Sequence, residues 1–175
     1  MAYYYLISSL PMLKADGSMP LSYDQFLILC RDVLGDAKYA LLKDLSLSSV
    51  DGPLVKEWAK YYGLLHEELT YQRNVRLGRK TAAPSYREES IVKLVSAAMN
   101  HKNPLAAEEM LLAWQFEKLD ELVGIHYFDD YALIGYALKL KLLERKQSFI
   151  KEDGKAEFGR IVGNLEHQIM SMEQE

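Results

Sequence analysis

The spacing of apolar residues predicts a chain built almost entirely from helices. Over most of its length, apolar positions recur three or four residues apart, which is the period of an amphipathic α-helix. The clearest stripe predicts a long helix that reaches about Arg76 or Gly78, and it consists of Leu54, Trp58, Tyr61, Leu65 and Leu69. Other stripes predict helices after Ser22, over 37–45, after Ser85, over 104–122, over 130–149 and around 158–172. We therefore predict an all-α fold, an irregular bundle of about six helices.

Residues typical of helix ends flank several of these stripes. A side-chain oxygen before the first turn, or a proline in it, favours a helix start. The predicted starts are, in chain order, Ser22 with Gln25, Pro53, Ser85 with Glu88, and Asn103 with Pro104. Gly35 and Gly124 are predicted to end helices. At the N-terminus, Tyr3 to Ser8 are predicted to form a short strand or extended segment, because Pro11 soon breaks the run.

Length and loops bear on the domain organisation. A chain of 175 residues is enough for one domain or two small ones. The clearest loop is GRKTAAP, residues 78–84. We predict a single helical domain over 1–175, which this loop could divide into 1–80 and 85–175.

Composition and charge narrow the class of protein. Hydrophobic residues make up 49% of the chain, and the net charge is −4. An acidic chain is not expected to bind nucleic acid or anionic membranes over its whole surface. Cys30 is the single cysteine, so no internal disulfide is expected. With no predicted membrane span and no signal-peptide pattern at the N-terminus, we expect a soluble cytoplasmic protein.

The stretch GIHYFDDY, residues 124–131, raises the question of chemistry. His126, Asp129 and Asp130 are residue types that bind metals or transfer protons. The alternative is a helix start, with Asp129 as the N-cap and Asp130 in the first turn, where the helix dipole favours a negative charge. Phe128 and Leu133 then occupy the positions of a hydrophobic staple. The spacing favours the helix start over a metal or acid–base site.

The helix that follows is apolar on more than one side. Leu, Ile and Ala occupy most positions from Leu133 to Leu143, far more than a single stripe needs. A helix of this kind is packed on several sides. Two interpretations stay open: a central helix of the chain's own core, or a helix that also packs against a partner.

The segment from Thr70 to Arg87 is basic and contains no acid. Its cations are Arg73, Arg76, Arg79, Lys80 and Arg87. Three interpretations are open: a solvated helix end, a protein-binding surface and an RNA-binding surface. We predict partner binding by Arg73, Arg76, Arg79 and Lys80, and we consider nucleic acid the least favoured ligand because no RNA-binding signature accompanies them.

Motifs for catalysis are missing from the chain. There is no GxGxxG, P-loop, GxSxG or HExxH pattern. Cys30 lies on the predicted apolar face of its helix, which favours a buried thiol over a nucleophile. We therefore predict a non-enzyme with no catalytic residues, no metal and no cofactor.

Three stretches carry a resemblance to a known family. They are YYYLISSLPML at 3–13, EELTYQRNVRL at 67–77, and 103–149, which begins NPLAAEEMLLAWQF. Together they resemble a bacterial family encoded beside V-type (A/V-type) ATPase subunits, which looks like a shortened relative of the C (or d) subunit. The residues that carry the resemblance are mainly packing and capping residues.

The resemblance implies a mechanical role. A C/d subunit is a helical, non-catalytic adaptor at the cytoplasmic face of the membrane, where it couples the central rotor shaft to the membrane ring. The chain would then be a peripheral protein of the inner membrane face, with other ATPase subunits as its partners and no membrane insertion of its own. The full C subunit is considerably longer, so the alternative is an assembly or accessory module for the same complex. A metal-dependent enzyme is the third hypothesis.

Overall fold

A computed structural model describes residues 2–147 and residue 160 of the chain. Every regular element in that part is a helix, so the predicted all-α class is confirmed. The seven helices are α1 (Ala2–Ser9), α2 (Tyr23–Arg31), α3 (Asp36–Asp44), α4 (Val55–Arg76), α5 (Glu89–Asn100), α6 (Pro104–Val123) and α7 (Asp130–Gln147).

The chain divides into two compact units, Met1–Leu143 and Glu144–Glu175. The first unit contains α1 to α6 and most of α7. Of the second unit the structure describes 144–147 and Arg160, so the helix predicted around 158–172 lies outside the described residues. The single-domain organisation stays a prediction.

The N-terminal segment is helical, and the prediction of an extended segment over Tyr3 to Ser8 is wrong. Tyrosine and isoleucine favour strands on average, but packing overrides such preferences. Leu6 is buried in the main core and Ile7 packs against it. The Ser9 hydroxyl donates a 2.7 Å hydrogen bond to the Leu6 carbonyl in the last turn. One side of α1 is therefore covered by the rest of the unit.

Two predicted helix starts are also wrong. The long helix begins at Val55 rather than Pro53, because Leu54 adopts a left-handed backbone (φ 62°) that places its side chain in the core. The next helix begins at Glu89, and Ser85 does not cap it. Arg87 is paired with Glu68 of α4, which holds the chain against α4 just before the first turn.

Three other boundary predictions are confirmed, whereas the prediction that Gly35 ends a helix is wrong, because α2 ends at Arg31 and Gly35 is the N-cap of α3. Ser22 and Gln25 form the predicted capping box, in which each side chain accepts a backbone N–H of the other residue at 3.2 and 2.8 Å. The Asn103 side chain accepts the N–H of Leu105 at 3.0 Å, with Pro104 in the first turn. Gly124 ends α6 with a positive φ of 55°. These local signals place the ends of α6 and the start of α2.

The first unit has two apolar clusters. The main cluster joins α1, α2, α3, the start of α4, the second half of α6 and α7. The smaller cluster joins the second half of α4 to α5 and the first half of α6, and it consists of Leu65, Leu69, Ile91, Val95, Ala98 and Leu111. Because α4 and α6 contribute to both clusters, they tie the two parts of the unit together.

Helix α7 is the most deeply buried element. Eight of its residues are buried: Leu133, Ile134, Gly135, Ala137, Leu138, Leu140, Leu142 and Leu143. They point in several directions around the helix, which confirms that it is packed on more than one side. Full burial of an aliphatic side chain contributes roughly 1.5–3 kcal/mol, so this helix supplies a large share of the core.

Gly135 lets α7 approach the end of α6 closely. A Cβ atom built on this glycine would lie 2.4 Å from Val123 Cγ2 and 3.4 Å from Leu54 Cδ2. Val123 is β-branched and cannot move its methyl groups aside without changing rotamer. The contact therefore requires glycine at this position of α7.

We expect Gly135→Ala to destabilise the protein by about 1–3 kcal/mol through this overlap. The matched control is Gly63→Ala in α4, where a Cβ would meet nothing within 4 Å. Since alanine is the better helix former, the control should stabilise the protein by about 0.5–1 kcal/mol. Urea unfolding followed by circular dichroism measures both. Equal effects of the two substitutions would contradict the close packing of α6 and α7.

Candidate functional site

The first candidate site is the start of α7. Asp129 Oδ1 accepts the N–H of Ala132 at 3.2 Å, and its other oxygen is hydrogen-bonded to His126 Nδ1. The His126 ring stacks on Tyr131, with centroids 4.4 Å apart. The helix-start interpretation of Asp129 is thus confirmed, because it is the N-cap of α7. The hydrogen bond from His126 holds its carboxylate in place.

Asp130 points to a different partner. Its carboxylate forms an ion pair with Lys38 of α3, with Lys38 Nζ 2.8 Å from Oδ2. The two neighbouring aspartates therefore do not converge on one point. Among the described residues, no group of three or more His, Cys, Asp or Glu side chains is arranged to hold a metal ion.

The electrostatics of Asp129 agree with a capping role. Burial acts to raise its pKa, but the hydrogen bonds from His126 and from the Ala132 backbone outweigh this and lower the pKa overall. A carboxyl with a lowered pKa stays ionised at neutral pH, and its negative charge interacts favourably with the positive end of the helix dipole. Such a group is poorly suited to act as a general acid at that pH.

Phe128, the predicted staple residue, lies against another helix. Its ring is tilted on that of Tyr4 in α1, with centroids 4.7 Å apart, and the Tyr4 ring also contacts Tyr5 edge-on. All three rings are largely exposed. The contact joins α1 to the loop before α7.

We expect Asp129→Ala to lower the free energy of unfolding by about 1 kcal/mol, because the N–H of Ala132 loses its acceptor. Asp129→Asn is the control, and it should change stability by only a few tenths of a kcal/mol, because Asn also caps helices. Thermal unfolding of the two variants checks this. A loss with Asn as large as with Ala would show that the negative charge, rather than the cap, matters.

The second candidate site is the basic segment at the end of α4, and the structure divides its cations into two groups. Arg87 binds Glu68 through two hydrogen bonds, Nε to Oε2 at 2.8 Å and Nη2 to Oε1 at 2.6 Å. Its guanidinium lies 4.8 Å from the centroid of the Tyr71 ring. Arg76 donates to the backbone carbonyl of Met99 in α5. These two arginines hold α4, α5 and the loop between them together.

Glu68 is the buried centre of this arrangement. Only 2% of the residue is exposed, yet it carries a carboxylate. Gln72 donates to Glu68 Oε1 at 2.7 Å and also reaches Ser96 at 3.1 Å. The hydrogen bond from Arg87 lowers the pKa of Glu68 more than burial raises it, so the carboxyl stays charged. A buried carboxylate with this many donors is a structural group.

Sequence reasoning missed Glu68, although one signal for it exists. Glu68 lies three residues after Leu65 and directly before Leu69, next to the apolar stripe of α4. An acidic residue on a buried stripe needs a cation, and an Arg rather than a Lys is the usual partner for a two-pronged pair. The loop after α4 determines which arginine of 70–87 pairs with Glu68. The spacing of residues alone does not predict the path of that loop.

The remaining cations are Arg73, Arg79 and Lys80. All three are exposed, and their side chains make no hydrogen bond or ion pair with the described part of the chain. Val75 and Leu77 lie between Arg73 and Arg79 in the sequence, and they are 53% and 65% exposed. Basic and apolar side chains are thus mixed on one exposed helix end. The prediction that Arg73, Arg76, Arg79 and Lys80 contact a partner stays a prediction, and Arg76 in addition donates to the Met99 carbonyl within the chain.

The backbone at this helix end is well defined. The N–H of Gly78 donates to the Val75 carbonyl and that of Arg79 to the Asn74 carbonyl, each at 3.0 Å, with Gly78 at a φ of 68°. This is the Schellman pattern that terminates helices. Beside it, an open cleft of about 450 Å³ runs between α4 and α5, lined by residues that include Tyr71, Val75, Val92 and Met99.

Cys30 is the remaining group with chemical potential. It is fully buried in the main cluster, and burial raises the pKa of its thiol to about 12. The reactive form of cysteine is the thiolate, which such a group does not form near neutral pH. The predicted buried location of Cys30 is therefore confirmed.

We expect Arg87→Met to lower the urea midpoint at pH 7, because Glu68 loses its main partner while remaining buried. Glu68 has a lowered pKa in the folded state, so its contribution to stability is present above its unfolded pKa of about 4.3 and is lost as the pH falls through the folded value. The gap between wild type and variant should therefore shrink on acidification. Urea unfolding at pH 7 and below pH 4 measures it; a constant gap would mean that the charge of Glu68 is irrelevant.

Comparisons with known proteins were negative. No protein-family model, curated protein or solved structure matches this chain. Within residues 2–147, no helix combines the length and apolar character needed to cross a membrane. The resemblance to the ATPase-associated family thus rests on the three stretches of sequence quoted above.

Proposed function

We propose that this chain is a non-catalytic adaptor of a V-type ATPase, similar to the C/d subunit, which couples the central rotor shaft to the membrane ring. It would lie in the cytoplasm against the inner face of the membrane and contact other subunits of the complex. The observation that supports this best is the exposed mixture of basic and apolar side chains at the end of α4. The resemblance of the three stretches quoted above is the reason for proposing this particular complex.

The packing of the described unit is consistent with a mechanical part. The two apolar clusters share α4 and α6, so a force applied at the end of α4 reaches the main core through continuous helix. Close-packed interiors have low compressibility and transmit strain. Side-chain hydrogen bonds also hold the second half of α4 in place. Arg76 binds the Met99 carbonyl of α5, and Arg87 binds Glu68 of α4.

The alternative is an assembly or accessory module that acts on the same complex and then leaves it. The same mixed surface supports this hypothesis, since transient partners also use exposed basic and apolar residues. The third hypothesis, an enzyme that uses His126, Asp129 and Asp130 with a metal, is not favoured. Asp129 caps α7 and Asp130 pairs with Lys38, so neither carboxylate is directed at a shared ion.

The test is the amount of this chain in the mature, purified ATPase, measured by quantitative mass spectrometry against the other subunits. An adaptor should be present in a fixed, stoichiometric ratio through every purification step that keeps the complex intact. Recovery only with incomplete assemblies would support the assembly module. If neither mature nor incomplete complexes contain the chain, the assignment to this ATPase is wrong.

A further inference from the structure

We propose that the end of α4 binds an acidic, amphipathic segment of a partner protein. We call the end of α4 with Arg73, Leu77, Arg79 and Lys80 the α4-end surface; Val75 borders it on the side of α4 that lines the cleft toward α5. The inference deepens the proposed function, since it rests on the chain acting through a protein partner, and it specifies the chemistry of that partner.

Charge is the first reason for an acidic occupant. Residues 70–87 carry five cations and no acid, while the whole chain has a net charge of −4. The rest of the chain therefore has a net charge of −9, from −4 minus +5. Two of the five cations are engaged internally, Arg87 with Glu68 and Arg76 with Met99. The other three form a local positive surface on an otherwise acidic protein, and complementary surfaces steer association.

Exposed apolar side chains are the second reason. They indicate that the partner segment contains apolar residues as well as carboxylates. Leu77 is 65% exposed and Val75 53% exposed, and Arg76 lies between them in the sequence. Leu77, the residue directly after α4, lies four positions beyond Arg73 and therefore on the same side of the helix end. Val75 continues into the cleft toward Val92 and Met99 of α5. An occupant with apolar residues alternating with carboxylates satisfies both kinds of side chain.

The surface is preorganised, which lowers the entropy that binding must offset. The Schellman hydrogen bonds of Gly78 and Arg79 fix the backbone at the point where α4 ends, immediately before Lys80. Arg76 and Arg87 anchor the helix end and the loop to α5 and to Glu68. The three remaining cations thus extend from a supported frame.

Helix-end electrostatics explain only part of this arrangement. A cation in the last turn, such as Arg73, stabilises the negative end of the helix dipole. That effect falls off within one turn, and it gives no reason to leave Val75 and Leu77 exposed. A binding surface accounts for both.

A protein segment is favoured over RNA for a geometric reason. Single-stranded RNA binding uses aromatic rings as stacking platforms. The Tyr71 ring is covered by the Arg87 guanidinium at 4.8 Å, so one of the two tyrosines of this segment is engaged. The exposed aliphatic side chains of Val75 and Leu77 offer no such platform.

The experiment places the photoreactive residue p-benzoylphenylalanine at position 77 of the full-length chain in its native cells. Irradiation and mass spectrometry then identify what is cross-linked there. We expect an adduct with one protein segment that is rich in Asp and Glu and has apolar residues between them. The same photoreactive residue at Val50, which is also exposed but lies outside the basic segment 70–87, is the positional control.

Charge variants complete the test. The triple variant Arg73→Glu, Arg79→Glu, Lys80→Glu should reduce the adduct yield by about tenfold or more. The matched control, Arg31→Glu, Lys43→Glu, Lys56→Glu, reverses three other exposed cations and should leave the yield within about twofold. Lysines introduced in place of the acids of the cross-linked segment should restore the yield with the triple variant.

Each outcome is decisive. Adducts with RNA or lipid, a segment without excess acid, equal losses in both triple variants, or no more adduct at position 77 than at position 50 would overturn the inference. An acidic segment from a protein outside the ATPase would leave the inference standing and overturn the proposed function. The two proposals therefore fail separately.

Discussion

The burial of α7 is the constraint on which the rest of the first unit depends. Eight of its residues are buried, and α1, α2, α3, α4 and α6 all contribute to the cluster that covers them. Because Gly135 allows α6 to approach so closely, the ends of the two helices pack without space for a methyl group. The apolar side chains of α7 are thus buried within the chain. Among the described residues, Leu133 to Leu143 therefore need no neighbouring subunit to cover them.

The consequence for the proposed function is that the interior of α7 offers no exposed apolar surface, and the proposed partner contact is assigned to the end of α4 instead. The smaller cluster of α4, α5 and α6 ends at a polar layer in which Glu68, Gln72, Ser96 and Arg87 are hydrogen-bonded to one another. A buried carboxylate is unfavourable unless it is fully paired, and this layer supplies the pairing. It also fixes the end of α4, so that the cations beyond it are presented from a rigid frame. The pairing that a buried carboxylate requires is thus directly connected to the surface that we propose as a binding site.

Much of the helical architecture could be predicted from the sequence, because caps and stripes are local signals. Ser22, Asn103, Gly124 and Asp129 act at the helix ends where their side chains or backbone suggested. Predictions failed where distant contacts decided the local conformation. The burial of Leu6 in the core stabilises α1 as a helix. The positive φ of Leu54 makes α4 begin later than predicted, and the Glu68–Arg87 pair does the same for α5. The division of the basic segment into internal and exposed cations is likewise a tertiary property.

The most direct test is native-state hydrogen exchange of the isolated chain, followed by the same measurement with its partner complex bound. The account predicts that amides of 133–143 are among the slowest to exchange in the isolated chain and stay unchanged on binding, since their packing is internal. Amides around 73–80 should become slower when the partner is bound. Rapid exchange of 133–143 in the isolated chain, with protection appearing only in the complex, would contradict the account and make α7 itself the interface.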